Sequence, residues 1–391
     1  MTLTLTSDFD LPLLVAHADA LDHNITTMAD YCAAAGVLLA PHAKTTMCRP
    51  LIEQQLQAGA WGMTVATPRQ ARALVGFGVQ RILLANVLVD ERAIRWVSDQ
   101  FLSGTAGEFL CYVESLDGVD LLERTLDLLS PPRTLPVLLE LGVDGGRTGV
   151  RSREQARAVA ERVAHSAQLS LVGTAAFEGV LRLGEGESIP ADLPDFLTFV
   201  HDATVELTEA GLFDTEVPIV SAGGSSYFDV VVEQLGPDSF DFNVSTVLRS
   251  GCYVSHDHGL YHRTSPLDGR QTPDGPHLRP ALELLASVWS RPEPGLVIAG
   301  FGRRDVPFDD RLPIVLGHYD EQDRLRPLPG WQVQKLWDQH AWIAVPPDTV
   351  ISPGDVLSLG ISHPCGAFDR WRSIVLLNAE SQVIGSLEPA L

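Results

Sequence analysis

The chain has 391 residues, 45% of them hydrophobic and 20% charged, and carries a formal net charge of −22 at pH 7. That length exceeds one ordinary core and predicts two domains, one of barrel size, while the apolar content excludes disorder. The acidity excludes nucleic acid and anionic membranes as general partners, because both need a positive surface.

In chain order, the opening stretch Met1–Asp8 has neither a basic nor an apolar region of the kind a signal peptide needs, and no signal peptide is expected. From about residue 36 to 250, short apolar runs alternate with longer amphipathic stretches. The runs are Gly36–Ala40, Trp61–Ala66, Arg81–Ala85, Phe109–Val113, Leu135–Leu141, Leu171–Ala176, Pro218–Ala222 and Phe242–Val247. Each is bounded by Gly, Pro or charged residues, as buried parallel strands are. Helical patterns lie between them at Thr46–Gln57, Thr67–Val75, Ser152–His165 and Leu193–Ala210, with stops at Gly59 and Gly211. Eight such units predict an α/β fold, a (β/α)8 TIM barrel over residues 20–265. A doubly wound open sheet is the alternative, but it needs a Gly-rich turn after the first strand, and Ala40-Pro-His-Ala-Lys-Thr is not one.

Ser265–Pro280 reads as a linker or long loop. Beyond it, the runs Leu282–Trp289, Leu296–Phe301, Leu312–Leu316, Trp342–Val345, Val356–Leu359 and Ile374–Leu377 are strand-like, with turns at 292–295 and 353–355. They predict a mostly antiparallel β domain made of residues 1–19 and 266–391. No apolar run is long enough to cross a bilayer. The five cysteines are odd in number and lack a C-x-x-C pair, which points to a reducing, cytoplasmic setting.

Barrel chemistry sits where strands end and the following loops begin. The first such edge holds Lys44. Only Lys44 and Lys335 are lysines among the 28 basic residues. Arginine cannot lose its proton at neutral pH, so amine chemistry must use one of these two. A lysine past a buried strand in an apolar stretch is placed to form an imine. His42, two residues earlier, faces the same way if the strand persists. It either tunes a cofactor or is a satisfied core histidine. The fifth edge, Glu140-Leu-Gly-Val-Asp-Gly-Gly-Arg147, offers Arg147 to a ring or carboxylate, or is an ordinary tight turn.

The seventh and eighth edges, Gly223-Gly224-Ser225 and Gly251-Cys252-Tyr253, are where barrels bind phosphate on converging backbone N–H groups. In the β domain, His363-Pro-Cys365 places an imidazole and a thiol two residues apart. On an extended segment both could bind Zn²⁺; otherwise this is a buried cysteine beside an unrelated histidine. His256 and His258 form a rival pair better read as a loop contact, and Asp338-Gln-His340 is a possible substrate contact.

These motifs in this order resemble the fold-type III pyridoxal-phosphate enzymes of the D-serine dehydratase and D-threonine aldolase group, related to the alanine racemase barrel. The residues that carry the resemblance are Pro41-His-Ala-Lys44-Thr, Thr64-Val-Ala-Thr67, Leu83-Leu-Ala-Asn86, Gly146-Arg147-Thr-Gly-Val, Ser221-Ala-Gly-Gly-Ser225, Leu248-Arg-Ser-Gly-Cys-Tyr253 and His363-Pro-Cys365. The resemblance implies pyridoxal 5'-phosphate as a Schiff base on the catalytic Lys44, and Arg147 by the pyridine ring. It implies Gly223, Gly224, Ser225, Gly251, Cys252 and Tyr253 around the phosphate, and a divalent metal, zinc, on His363 and Cys365. It also implies a small D-amino acid substrate and a homodimer. In this group the aldolases carry H-x-D where dehydratases carry H-x-C, so Cys365 implies dehydration of a D-β-hydroxy amino acid. Phe177-Glu-Gly179 resembles the aldolases and hydroxyaspartate dehydratases instead, which keeps retro-aldol cleavage to glycine and an aldehyde as the alternative.

Overall fold

In the computed structural model, which describes residues 8–104, 107–181, 183–184, 188–270, 275–320 and 324–390, every one of the eight apolar runs overlaps a strand. A strand at Leu13–His17 (β1) comes first. The eight then follow as β2 (Leu38–Leu39), β3 (Met63–Val65), β4 (Arg81–Val87), β5 (Glu108–Val113), β6 (Leu135–Leu141), β7 (Leu169–Ala176), β8 (Ile219–Ala222) and β9 (Ser245–Leu248). They form one sheet in the order β2-β9-β8-β7-β6-β5-β4-β3, and every pairing is parallel. The two ends of that order meet. Trp61 N donates to Leu39 O at 2.7 Å, Thr64 N to Pro41 O at 2.9 Å, and His42 bridges Thr64 in parallel. The sheet is therefore curled into the expected barrel, filled in part by Leu83, Leu110, Tyr112, Leu138 and Ala175.

The helices between strands start where the sequence provides caps. Thr67, Ser115 and Ser152 each accept a backbone N–H of the first turn, and Pro68 occupies the first helical position after Thr67. The helix expected from Thr46 begins only at Arg49. Ala43–Thr45 forms a 3-10 turn instead, and Met47 has a positive φ of 44°, which ends any helix through it.

The β domain adds β10 (Leu282–Glu293), β11 (Leu296–Ala299), β12 (Ile314–Tyr319), β13 (Leu325–Pro327), β14 (Gln332–Leu336), β15 (Ala341–Ala344), β16 (Val356–Gly360), β17 (Ile374–Leu377) and β18 (Val383–Leu387). Their order is β13-β12-β16-β10-β1-β17-β18, with β11, β15 and β14 branching from β10. All pairings are antiparallel except β1 with β17. Leu13, Val15, Leu285, Val356, Val375 and Leu377 form one of its buried clusters.

The chain divides into two compact units. Among the described residues, one gathers those up to Met28, Thr45–Glu53 and those from Cys252 onward; the other holds those of Ala29–Lys44 and Gln54–Gly251. The second unit begins at Ala29 and ends at Gly251. Thr45–Glu53 joins the β unit because Cys48 bridges Pro389 and Ala390 N donates to Met47 O at 3.1 Å. Residues 271–274 of the expected Ser265–Pro280 loop, and residues 1–7 of the expected leaderless start, lie outside the described residues. Among the described residues, no helix is long and apolar enough to cross a membrane.

Candidate active site

The C-terminal ends of all eight barrel strands open onto one cavity of about 240 Å³. His42 and Lys44 follow β2, Ala66 follows β3, Ala85 and Asn86 end β4, and Tyr112 ends β5. Glu140 ends β6, with Arg147 and Thr148 in the loop beyond. Phe177 follows β7, Gly223 and Gly224 follow β8, and Arg249 follows β9. Residues scattered over two hundred positions meet here because parallel strands deliver every loop to the same face.

His42 and Lys44 share the cavity through the 3-10 turn at Ala43–Thr45, not through the extended strand that their spacing suggested. Burial holds His42 well below the ordinary histidine range, and Lys44, Arg249 and Arg147 add to that depression, so the ring is neutral. Its Nδ1 has no hydrogen-bond partner, and neither has Tyr112 OH nor Glu140 Oε2. Burial raises the Tyr112 phenol to about 12 and pushes the Glu140 carboxyl upward, although Thr148 Oγ1 donates to Glu140 Oε1 at 2.8 Å. Three unpaired buried polar atoms around a lysine-bearing cavity are costly unless a polar guest completes them.

Two arginines flank that space. Arg147 Cζ lies 5.0 Å from the Phe177 ring centroid. Arg249 is buried and fixed, donating to Ser221 Oγ at 2.7 Å and Ala176 O at 2.5 Å. With Lys44 they make the cavity cationic, which suits a phosphate and a carboxylate. Gly223 sits at φ +86°, and a Cβ there would lie 2.6 Å from Leu248 Cδ2, so only glycine fits the turn.

The backbone N–H groups of Gly223 and Gly224, expected to be open to a phosphate, already donate to Glu178 Oε2 at 3.1 Å and Oε1 at 2.5 Å. Glu178 is fully buried. A phosphate at this turn must displace that carboxylate or use other donors of the loop. Ser225 is buried in the same loop and Gly251 closes the barrel unit, but neither lines the cavity. With Lys44 as the amine, the orphaned atoms and the cationic walls, these residues fit pyridoxal phosphate.

Cys252 and Tyr253, expected beside the phosphate, form a buried 3-10 turn in the β unit. The Cys252 thiol lies 3.1 Å from Cys365 Sγ and 3.6 Å from Thr45 Oγ1. His363, Cys365 and Cys252 bring one donor atom each to within 4.8 Å of one another, and no other such group of three occurs among the described residues. His363 is extended (φ −155°), but Pro364–Gly366 turns as a 3-10 helix, so the H-x-C pair converges by a turn and not along a strand. His363 Nδ1 donates to Asp309 Oδ2 at 2.6 Å, which leaves Nε2 for a cation. Hydrogen bonding to Cys365 and to His363 draws the Cys252 thiol well below its usual range. Burial opposes charge on His363, yet the Cys252 thiolate and Asp309 outweigh it and carry it up to about 9. Thiolates and an oriented imidazole fit zinc.

The rival residues lie elsewhere. His256 Nε2 pairs with Asp268 Oδ2 at 2.7 Å, and the His258 ring packs where a Cβ on Gly360 would be. His340 stands edge-on to Trp289, and Asp338 pairs with Arg304 at the surface. The residues that sequence reasoning missed are Tyr112, Glu140, Glu178 and Arg249. Glu140 left a signal, being a carboxylate inside a strand that is otherwise apolar.

A family model described as "Alanine racemase, N-terminal domain" matches residues 16–228, and one described as "Putative serine dehydratase domain" matches residues 281–377. The 3-hydroxy-D-aspartate aldolase of Paracoccus denitrificans is 26% identical over 80% of this chain and 77% of its own. The D-threonine aldolase of an Arthrobacter species is 23% identical over 94% and 89%. The D-threo-3-hydroxyaspartate dehydratase of a Delftia species is 26% identical over 55% of each chain. Among solved structures, D-threonine aldolase from Filomicrobium marinum superposes with a TM-score of 0.80 at 20% identity, covering 100% and 97% of the two chains. A cysteine-to-alanine variant of D-threo-3-hydroxyaspartate dehydratase in the metal-free form gives 0.77 at 22% identity, covering 99% of each. The chain belongs to the alanine racemase N-terminal domain family, a family of pyridoxal-phosphate-dependent enzymes, and residues 281–377 match the putative serine dehydratase domain model.

Proposed function

We propose that this pyridoxal-phosphate-dependent lyase is a dehydratase that converts a D-β-hydroxy amino acid, such as D-serine, D-threonine or D-threo-3-hydroxyaspartate, to a 2-oxo acid and ammonia. The observation that carries the reading is the cysteine–histidine pair at His363 and Cys365. Variants of the related dehydratase are known at a histidine and a cysteine two positions apart, and the cysteine variant is in a metal-free form. Pyridoxal phosphate on Lys44 would supply an electron-accepting ring, and zinc on His363 and Cys365 would supply a Lewis acid for the β-hydroxyl.

The chain's own groups divide the remaining work. Lys44 Nζ is the amine that would hold the cofactor and, when free, would take the substrate α-proton. His42 is neutral and adds no competing charge beside Lys44. Arg147 and Arg249 balance the anionic groups of cofactor and substrate. Net dehydration releases one water and hydrolysis consumes one, so D-serine yields pyruvate and ammonia.

Retro-aldol cleavage to glycine and an aldehyde is the second reading, favoured by the aldolase relatives and by Glu178-Gly179 after β7. Holoenzyme given each of the three substrates should form ammonia and the 2-oxo acid, and a zinc chelator should stop it. Glycine with aldehyde in place of ammonia transfers the assignment to the aldolases, and turnover indifferent to chelation removes the metal from the mechanism. We further infer a cytoplasmic homodimer. A surface group of Trp289, Trp337 and Trp342, each more than a third exposed, supports the second copy, and sedimentation of the holoenzyme should give twice the chain mass.

A further inference from the structure

We propose that Cys252 is a third protein ligand of the cation, so that the site is Cys2His and keeps one position for substrate oxygen. This rests on the metal reading above and extends it, since sequence spacing gave only His363 and Cys365. Three protein ligands with one position open is the arrangement of catalytic zinc, whereas two leave the ion weakly held.

The fold builds this third donor into place. The segment after Cys252 is stitched to the strand end that carries His363: His258 N donates to Ile361 O at 2.8 Å, and Leu260 N to Ser362 O at 2.8 Å. Gly259 passes so close that a Cβ would lie 2.5 Å from Ser362 O. The Tyr261 ring, 5.8 Å from that of His363, backs the cluster. Cys252 is 4% exposed, and its thiol is turned inward onto the other two donors. Its sulfur is 3.1 Å from Cys365 Sγ, well beyond the roughly 2.05 Å of a disulfide, so the two sulfurs stand as separate donors. Asp309 fixes the ring so that Nε2 completes the set.

The test uses cofactor-loaded protein with cobalt in place of zinc, reading the thiolate-to-cobalt charge-transfer band, and zinc affinity by chelator competition. Wild type should show the intensity of two thiolates, and Cys252→Ser and Cys365→Ser should each show half. Loss of Cys252 should weaken zinc by more than the roughly 10–100-fold that removal of an outer-shell partner costs. The Cys365→Ser protein keeps the test decisive even if Cys252→Ser fails to fold: a remaining band requires Cys252 as a ligand, and its complete loss overturns the proposal. A Cys252→Ser protein with wild-type band and affinity overturns it too, leaving the two-ligand reading intact. Wild type that binds neither metal while retaining its cofactor absorbance sinks both. A disulfide between Cys252 and Cys365 in unreduced protein, found by thiol titration, also overturns the three-ligand site.

Discussion

At the scale of single residues, the chemistry concentrates on side chains that are rare or misplaced by ordinary rules. Lys44 is one of two lysines in the chain, and the other, Lys335, lies against Trp337 and Trp342 at 4.6 and 5.7 Å. Lys44→Ala should therefore abolish both the visible cofactor absorbance and turnover, while Lys335→Ala should preserve both. Equal absorbance in the two variants would remove Lys44 from its role. The place of Lys44 in the cavity was legible because a scarce residue at a strand end stands out in the sequence. Tyr112 and Glu140 were not, because strands far apart in sequence bring them beside Lys44, and no local spacing encodes that convergence. Cys252 was read with the phosphate for a related reason. Its neighbours in sequence belong to a loop, but its neighbours in space come from the end of β16.

At the scale of elements, the barrel strands could be read directly because most of their residues are buried and apolar, in short runs between polar segments. The β domain was only half legible. Its central strands β10 and β16 are apolar runs, but β13 is exposed throughout and β14 is exposed at three of its five residues. Edge strands of this kind carry polar side chains to discourage further pairing, and that erases the pattern. β1 was not read as a strand, although residues 1–19 were placed with the β domain; β10 and β17 flank it. Turns were the weakest point. Both Ala43–Thr45 and Pro364–Gly366 are 3-10 segments where a strand continuation was expected. Each still delivers its pair of side chains to one place, because a tight turn also brings residues two apart together.

At the scale of the whole molecule, stability should depend on pH through buried histidines. Burial holds His258 down at about 4, against an ordinary value of 6.5. Between those limits the unfolded chain binds a proton that the fold refuses, so this contribution is complete above pH 6.5 and is lost as pH falls towards 4. His42, depressed in the same direction, adds to the loss. Asp257, pushed up to about 6 by burial, acts oppositely, since the fold keeps its proton up to that pH, and it offsets part of the loss as pH falls below 6. Replacing His258 with Gln should therefore flatten the decline, by at most about 1.4 kcal/mol per pH unit. Urea unfolding of both proteins across that window measures it, and parallel curves would show that His258 is not responsible.

The hold of Glu178 on Gly223 and Gly224 bears on how the holoenzyme is assembled. The glycine turn comes with its own counter-anion, since the Glu178 carboxylate satisfies both amides. A phosphate that reaches for those two amides competes with a tethered rival whose local concentration is set by the fold. A cofactor phosphate bound at this turn would therefore exchange one anion for another on those two amides.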